Sequence, residues 1–168
     1  MLYYFCFGKD KIDMSRGDKA KQLFLSGYNC TQSVVMAFDD MLGYDPKTVA
    51  MIVQPLGTGI GGMREVCGTV SGMAVVIGIL FGGDNPRDPL KRREIYGRVR
   101  ELSGVFEKDN GSIVCRELLG VTKPGTSKGV PTDRPQGYKK RPCPDLAKYA
   151  ADLLEKYIEE HKNEIILK

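Results

Sequence analysis

Residues and motifs that commonly mark a catalytic or metal site are scarce in this sequence. The 168 residues include no tryptophan and a single histidine, His161. A site that needs two or more histidines from one chain is therefore excluded. No two cysteines are spaced as Cys-x-x-Cys, which argues against zinc ribbons, thioredoxin-type redox pairs and c-type haem attachment. The five cysteines are the most informative chemistry that is left.

A strong charge of one sign is also missing. Lys plus Arg is 25 and Asp plus Glu is 21, which gives a net charge of +4 and does not by itself indicate nucleic-acid binding. Residues 120–142 are locally basic and rich in Gly and Pro. They predict a long solvated loop, because no helix-turn-helix pattern or aromatic–basic interleaving accompanies the charge. We expect no nucleic-acid partner.

The N-terminus has no recognisable secretory signal. Its apolar run over residues 1–7 is short, has no basic residue before it and no small-residue cleavage site after it. We therefore expect a cytoplasmic protein, in which stable structural disulfides are uncommon. Residues 1–13 are predicted to be an N-terminal extension, and residues 14–168 a single helical domain that holds four cysteines.

Hydrophobic periodicity predicts an all-α fold of about six or seven helices around one central apolar helix. Asn29 and Ser112 are candidate caps, and Gly27 and Gly43 are candidate helix ends. The predicted helices cover residues 18–25, 30–42, a short stretch after Asp45–Pro46, 66–83, 88–108, 113–119 and 144–166.

The central segment over residues 66–83 carries no charge. It is close to the minimum length for crossing a bilayer, and Gly68-x-x-x-Gly72 matches a packing pattern of membrane helices. Its many small residues and the amphipathic remainder of the chain favour a buried helix instead. We expect no membrane span. A glycine-containing apolar helix packs as readily against a second subunit, so a homo-oligomer stays open.

The segment Gly57-Thr-Gly-Ile-Gly-Gly62 fits the G-x-G-x-x-G pattern of dinucleotide-binding folds. That fold needs a strand before the loop and further βαβ units after it. Only residues 51–54 could form a strand, Pro55 interrupts it, and no later β-pattern follows. The glycines instead predict tight backbone turns beside a buried site. The candidate cofactor-binding glycines are Gly59, Gly61, Gly62 and Gly68.

Four cysteines fall in predicted first turns of helices. They are Cys30, Cys67, Cys115 and Cys143. The N–H groups at a helix start favour negative charge, and the thiolate is both the nucleophilic and the metal-binding form of cysteine. The competing interpretation is four small buried hydrophobes, and position alone does not decide between the two. Cys6 lies outside the pattern.

The segments around these cysteines resemble the C_GCAxxG_C_C family. They are Gly27-Tyr-Asn-Cys30-Thr-Gln-Ser-Val, Gly61-Gly-Met-Arg-Glu-Val-Cys67-Gly-Thr-Val-Ser-Gly72, Gly111-Ser-Ile-Val-Cys115-Arg-Glu-Leu-Leu-Gly120 and the late Cys143. Members of that family are described as redox-active on the basis of four signature cysteines and a C-G-A-x-x-G motif. The sequence departs from the motif at Thr69, where the family has alanine. The family also resembles part of the split-Soret cytochromes, but their haem-attachment motif is missing here.

The resemblance implies a redox protein, either an oxidoreductase or an electron carrier with an unknown redox partner. In the first mechanism the four cysteines carry out thiol–disulfide exchange, and Glu65 accepts or delivers a proton. In the second they are ligands of zinc or of an iron–sulfur cluster. A third interpretation, apart from the resemblance, is a non-enzymatic helical domain in which the cysteines only fill the core. Both active mechanisms predict that Cys30, Cys67, Cys115 and Cys143 lie close together.

Overall fold

The computed structural model describes residues 14–120 and 142–166. Within these ranges the chain forms seven α-helices: α1 (Arg16–Leu25), α2 (Cys30–Met36), α3 (Pro46–Val53), α4 (Gly68–Phe81), α5 (Pro89–Asn110), α6 (Cys115–Leu118) and α7 (Cys143–Glu160). Short 3₁₀ turns follow α3 and α7, and the only β-pairing among the described residues is an isolated bridge between Val66 and Val114. The predicted all-α fold is confirmed.

The central apolar helix is α4. Its side chains lie among α2, α5 and α7, and Met73, Val76, Ile77 and Phe81 are almost fully buried. It has 14 residues, whereas a bilayer-spanning helix needs about 20. No helix in the described part of the chain combines the length and the apolarity that a membrane span requires.

The outer helices are amphipathic and close around α4. The most extensive helix pairings are α1 with α7 and α2 with α4. Helix α7 turns Leu146, Ala150, Leu154 and Ile158 into the core, a spacing that places them on one helix face. The small Ala147, Ala150 and Ala151, all fully buried, allow α1 to approach closely.

The predicted helix over 30–42 is too long. Helix α2 ends at Met36, and residues 37–42 continue as turns with i→i−3 hydrogen bonds. Phe38 and Leu42 are still buried, so the apolar spacing is kept without an α-helix. The Arg16 side chain donates to the carbonyl of Ala37 across 2.8 Å, which satisfies an acceptor that a longer helix would use.

The last predicted helix, over 144–166, is also too long. Helix α7 ends at Glu160, and a 3₁₀ turn over Lys162–Glu164 follows. The His161 ring stacks on the Tyr157 ring and contacts the Tyr157 carbonyl. Buried Arg98 on α5 forms an ion pair with Glu164 in this turn, so the residues that follow α7 are held by a contact from another helix. The predicted N-terminal extension over residues 1–13 lies outside the described residues. Of the loop predicted over 120–142, the structure describes only residues 120 and 142.

Candidate functional site

One cavity of about 200 Å³ brings the four signature cysteines together. Cys30, Cys67 and Cys115 are buried, and Cys143 is half-buried. The predicted clustering of the four cysteines is therefore observed. The other described residues that line it are Phe24, Asn29, Thr58, Arg64, Thr69, Leu118, Leu119 and Leu146.

Each cysteine stands at the start of a helix, as the sequence predicts. Cys30, Cys115 and Cys143 are the first residues of α2, α6 and α7, and Cys67 is the N-cap of α4. The cap of α2 is well formed, because Asn29 accepts from the Gln32 N–H and the Gln32 side chain accepts from the Asn29 N–H. This reciprocal capping box fixes where α2 begins, and hence where Cys30 lies.

Two of the cysteine segments are joined by main-chain hydrogen bonds. The Cys67 N–H donates to the Ile113 carbonyl across 2.8 Å, and the Cys115 N–H donates to the Glu65 carbonyl across 2.6 Å. These bonds flank the isolated bridge between Val66 and Val114. They hold Cys67 and Cys115 in a fixed relation although 48 positions separate them in the sequence.

Glycines allow the cysteine side chains to approach. A Cβ atom on Gly68 would lie 2.3 Å from Cys30 Sγ, and one on Gly59 would lie 2.8 Å from Cys115 Cβ. Neither distance leaves room for a side chain. The sulfur of Cys30 therefore rests directly on the first residue of α4, next to Cys67.

The turn before α4 is strained where it meets the cavity. Residues 58–62 all have positive φ, between 56° and 84°, and they include the β-branched Thr58 and Ile60. Such residues cost roughly 1–2 kcal/mol each in this conformation, and strain of this kind concentrates at functional sites. Here it directs the Thr58 N–H to Cys30 Sγ, across 3.2 Å. A main-chain donor at that sulfur stabilises negative charge on it.

Cys67 behaves differently from the expectation for a helix start. Burial raises the pKa of its thiol to about 11, and the nearby Cys30 and Cys115 add to the increase. A hydrogen bond with the Thr69 hydroxyl, at 3.2 Å, opposes it. The prediction that a helix start favours the thiolate is therefore wrong at Cys67, because loss of solvent outweighs the helix end. Thr69, where the family has alanine, contacts this sulfur.

Two buried polar groups beside the cysteines lack a partner among the described residues. Arg64 lines the cavity, and only 8% of its surface is exposed. Its side chain makes no hydrogen bond or ion pair with any residue that the structure describes. The Thr31 hydroxyl is fully buried and makes no hydrogen bond. A Cβ on Gly68 would lie 2.7 Å from that hydroxyl oxygen, so Thr31 flanks Cys30 at the start of α4.

The other predicted site residues lie at the edge of the site or outside it. The Glu65 carboxylate is half-exposed, pairs with Arg116 at 2.7 Å and is not among the residues that line the cavity. Gly61 and Gly62 belong to the strained turn and do not line the cavity. Cys6 lies outside the described residues. The roles predicted for Glu65 and the glycines stay predictions.

The cysteines are not arranged as a ready-made metal site. Over residues 14–120 and 142–166, no group of three or more His, Cys, Asp or Glu side chains has the geometry to hold a metal ion. Cys30, Cys67, Cys115 and Cys143 form no disulfide with one another.

Three features of the site are not predicted by the sequence patterns: the Thr58 N–H, the buried Arg64 and the Thr69 hydroxyl. Thr69 had a signal, since it is the one departure from the motif. A main-chain donor has no signature in a sequence. Arg64 resembles any charged residue in a glycine-rich loop, and its burial depends on how that loop folds.

Comparison with known proteins identifies the family. The family model described as "Putative redox-active protein (C_GCAxxG_C_C)" matches residues 28–157, which is well over half of the chain. A search of curated proteins and a search of solved structures each gave no significant match. The matched region contains all four cysteines of the cavity. The chain therefore belongs to the C_GCAxxG_C_C family.

Proposed function

We propose that this protein carries out thiol–disulfide exchange through its four clustered cysteines, in the cytoplasm and with a redox partner that returns it to the reduced form. The observation that carries the proposal is the single cavity of about 200 Å³ lined by Cys30, Cys67, Cys115 and Cys143. Four cysteines from distant segments share one small space. Simple packing requires burial of each thiol, but it does not require that they face one another.

The surroundings of Cys30 and Cys67 support different roles. Cys30 Sγ accepts a main-chain N–H bond from Thr58, which suits an attacking thiolate. Cys67 is a neutral thiol at pH 7, because burial raises its pKa to about 11. It lies next to Gly68, on which the Cys30 sulfur rests. We assign to Cys30 the attack on the substrate disulfide. One of the neighbouring cysteines in the cavity then attacks the mixed disulfide that forms.

The exchange passes two electrons from the protein to the substrate. The Cys30 thiolate attacks a substrate disulfide, the substrate S–S bond breaks, and one substrate sulfur leaves as a thiolate that takes up a proton. A second cysteine loses its proton and attacks the mixed disulfide, which releases the other substrate sulfur as a thiol. The substrate gains two electrons, and the protein loses two as it forms one disulfide.

A four-thiolate metal or iron–sulfur site is the alternative. The same four cysteines support it, and the cationic Arg64 would offset part of the negative charge of such a site. The described side chains do not fit a bound metal as they are placed, since no three of them form a suitable group. We therefore derive no step through a metal.

The test is a thiol count on protein purified without oxygen, combined with elemental analysis and a visible spectrum. A Cys6→Ser background leaves only the four signature cysteines to be counted. We expect a metal-free protein that loses two or four thiols on mild oxidation with diamide and regains them with dithiothreitol. About one equivalent of zinc, or iron with sulfide and charge-transfer bands, would support the alternative. If the protein contains no metal and its four thiols do not oxidise reversibly, the cysteines are core residues and the proposal is wrong.

A further inference from the structure

Among the described residues that line the cysteine cavity, Arg64 is the only charged one. It lies in the strained turn region with φ 64° and is more than nine-tenths buried. The Glu65 carboxylate next to it pairs with Arg116 instead. The other lining residues that the structure describes are cysteines, polar neutral residues and apolar side chains. No carboxylate within residues 14–120 and 142–166 therefore lines the cavity opposite Arg64.

A buried cation without a counterion is costly. Removing a charged group from water carries a penalty of several kcal/mol unless a partner of opposite charge replaces the lost hydration. A guanidinium, which cannot lose its proton in a protein, offers paired N–H donors that match a carboxylate or similar oxyanion. The cavity therefore has an unused donor group for an anion beside the reactive sulfurs.

We propose that Arg64 binds the anionic substituent of a small disulfide substrate, so that the protein acts on acidic rather than neutral disulfides. This inference rests on the proposed thiol–disulfide exchange and names its substrate class. Arg64 is then a binding residue that holds a carboxylate or sulfonate while the attached disulfide sulfur lies within reach of Cys30.

The size and walls of the cavity limit the substrate further. About 200 Å³ equals the volume of roughly six or seven water molecules at about 30 Å³ each. Phe24, Leu118, Leu119 and Leu146 form apolar walls. These features fit a short aliphatic chain between the acidic group and the sulfur, and they leave no room for a folded protein substrate inside the cavity.

The first experiment compares two disulfides of equal chain length and different charge. Reduced protein reacts at pH 7 with dithiodiglycolate, which is anionic, or with bis(2-hydroxyethyl) disulfide, which is neutral. Each rate of thiol loss is divided by the rate at which dithiothreitol reacts with the same compound, so that the intrinsic reactivity of the two disulfides cancels. We expect a preference of roughly tenfold to a hundredfold for dithiodiglycolate, the usual range for one charged hydrogen-bonding contact. Arg64→Met should abolish the preference, and Arg64→Lys should retain part of it.

Arg116→Met is the matched control. It removes the same charge a short distance away, from a residue that pairs with Glu65 and does not line the cavity. It should leave the preference within about twofold. Equal losses in Arg64→Met and Arg116→Met would show a general field effect and would overturn the assignment of Arg64. Circular dichroism measures whether each variant is folded. If Arg64→Met does not fold, the partial preference expected for Arg64→Lys still tests the role of Arg64.

The second experiment does not depend on redox activity. Adipate and 1,6-hexanediol match the two disulfides in length but cannot react, and their binding is measured by calorimetry. We expect adipate to bind the wild type at least tenfold more tightly than the diol does. We expect this difference to disappear in Arg64→Met. Reversible thiol oxidation without any charge preference would overturn this inference and leave the proposed function standing. Arg64-dependent adipate binding without thiol chemistry would do the reverse, retaining the anion site and rejecting the exchange reaction.

Discussion

At the scale of single residues, desolvation decides the state of Cys67. A charge at a helix start is typically stabilised by about 0.3–1 kcal/mol. The rise in the thiol pKa of Cys67 from 9.0 to about 11 corresponds to roughly 2–3 kcal/mol at about 1.4 kcal/mol per unit. Burial is thus the larger effect, and Cys67 keeps its proton at pH 7.

This shift predicts a loss of stability in alkali. The pKa of Cys67 is higher in the folded protein, so its contribution is fully present below pH 9 and is lost as the pH rises to about 11. We expect urea unfolding at pH 8 and pH 11 to show a decrease in unfolding free energy that is about 2 kcal/mol larger in the wild type than in Cys67→Ser. Both proteins share the tyrosine titrations, so equal decreases would contradict the shift.

At the scale of helices and turns, glycines position the cysteines. Gly68 begins α4 and leaves space for the Cys30 sulfur, while Gly59 in the strained turn leaves space for Cys115. Gly97 inside α5 has no neighbouring atom within 4 Å of where its Cβ would lie. The same substitution should therefore have opposite effects at Gly68 and Gly97.

Gly68→Ala should destabilise the protein by about 1–3 kcal/mol, the usual cost of overpacking, because the new Cβ would lie 2.3 Å from Cys30 Sγ. Displacement of that sulfur should also slow thiol exchange. Gly97→Ala should stabilise by about 0.5–1 kcal/mol, since alanine restricts the unfolded chain and favours the helix. Urea unfolding and the rate of thiol loss to dithiodiglycolate measure both effects. Similar results for the two variants would argue against close contact at Gly68.

At the scale of the whole molecule, the cavity exists only when distant parts of the chain have packed together. Cys30 and Cys143 belong to α2 and α7, and both helices pack against α4. Cys67 and Cys115 are joined through main-chain bonds between two loops. No subset of the helices contains the complete site.

Exposure of the cysteines should therefore follow global unfolding. In a Cys6→Ser background, brief labelling at increasing urea uses a thiol reagent too bulky to enter the cavity of about 200 Å³ in the folded protein. The buried Cys30, Cys67 and Cys115 should become reactive toward this reagent at the midpoint of the helical transition seen by circular dichroism. Labelling well below that midpoint would show that the cavity opens locally, and the four cysteines would not then form one cooperative site.

The starts of the helices were predictable because capping residues act locally. Asn29 and the proline after Cys143 mark helix starts within a few residues of sequence, and all four cysteines lie at helix starts. The prediction that Ser112 caps a helix is wrong, because the N-cap of α6 is Val114 and the Ser112 hydroxyl accepts the N–H of that residue. The ends of α2 and α7 were not predictable. Contacts from Arg16 and Arg98 end these helices, and each arginine comes from another part of the chain.

The sequence by itself determined the all-α class, the central apolar helix and the family, because hydrophobic spacing, caps and the four cysteine segments are local patterns. Only the tertiary structure decided what surrounds each sulfur. It placed a main-chain donor on Cys30, removed water from Cys67 and buried Arg64 without a carboxylate. Solvent exclusion and close approach arise from packing between segments far apart in sequence, and no local pattern encodes them.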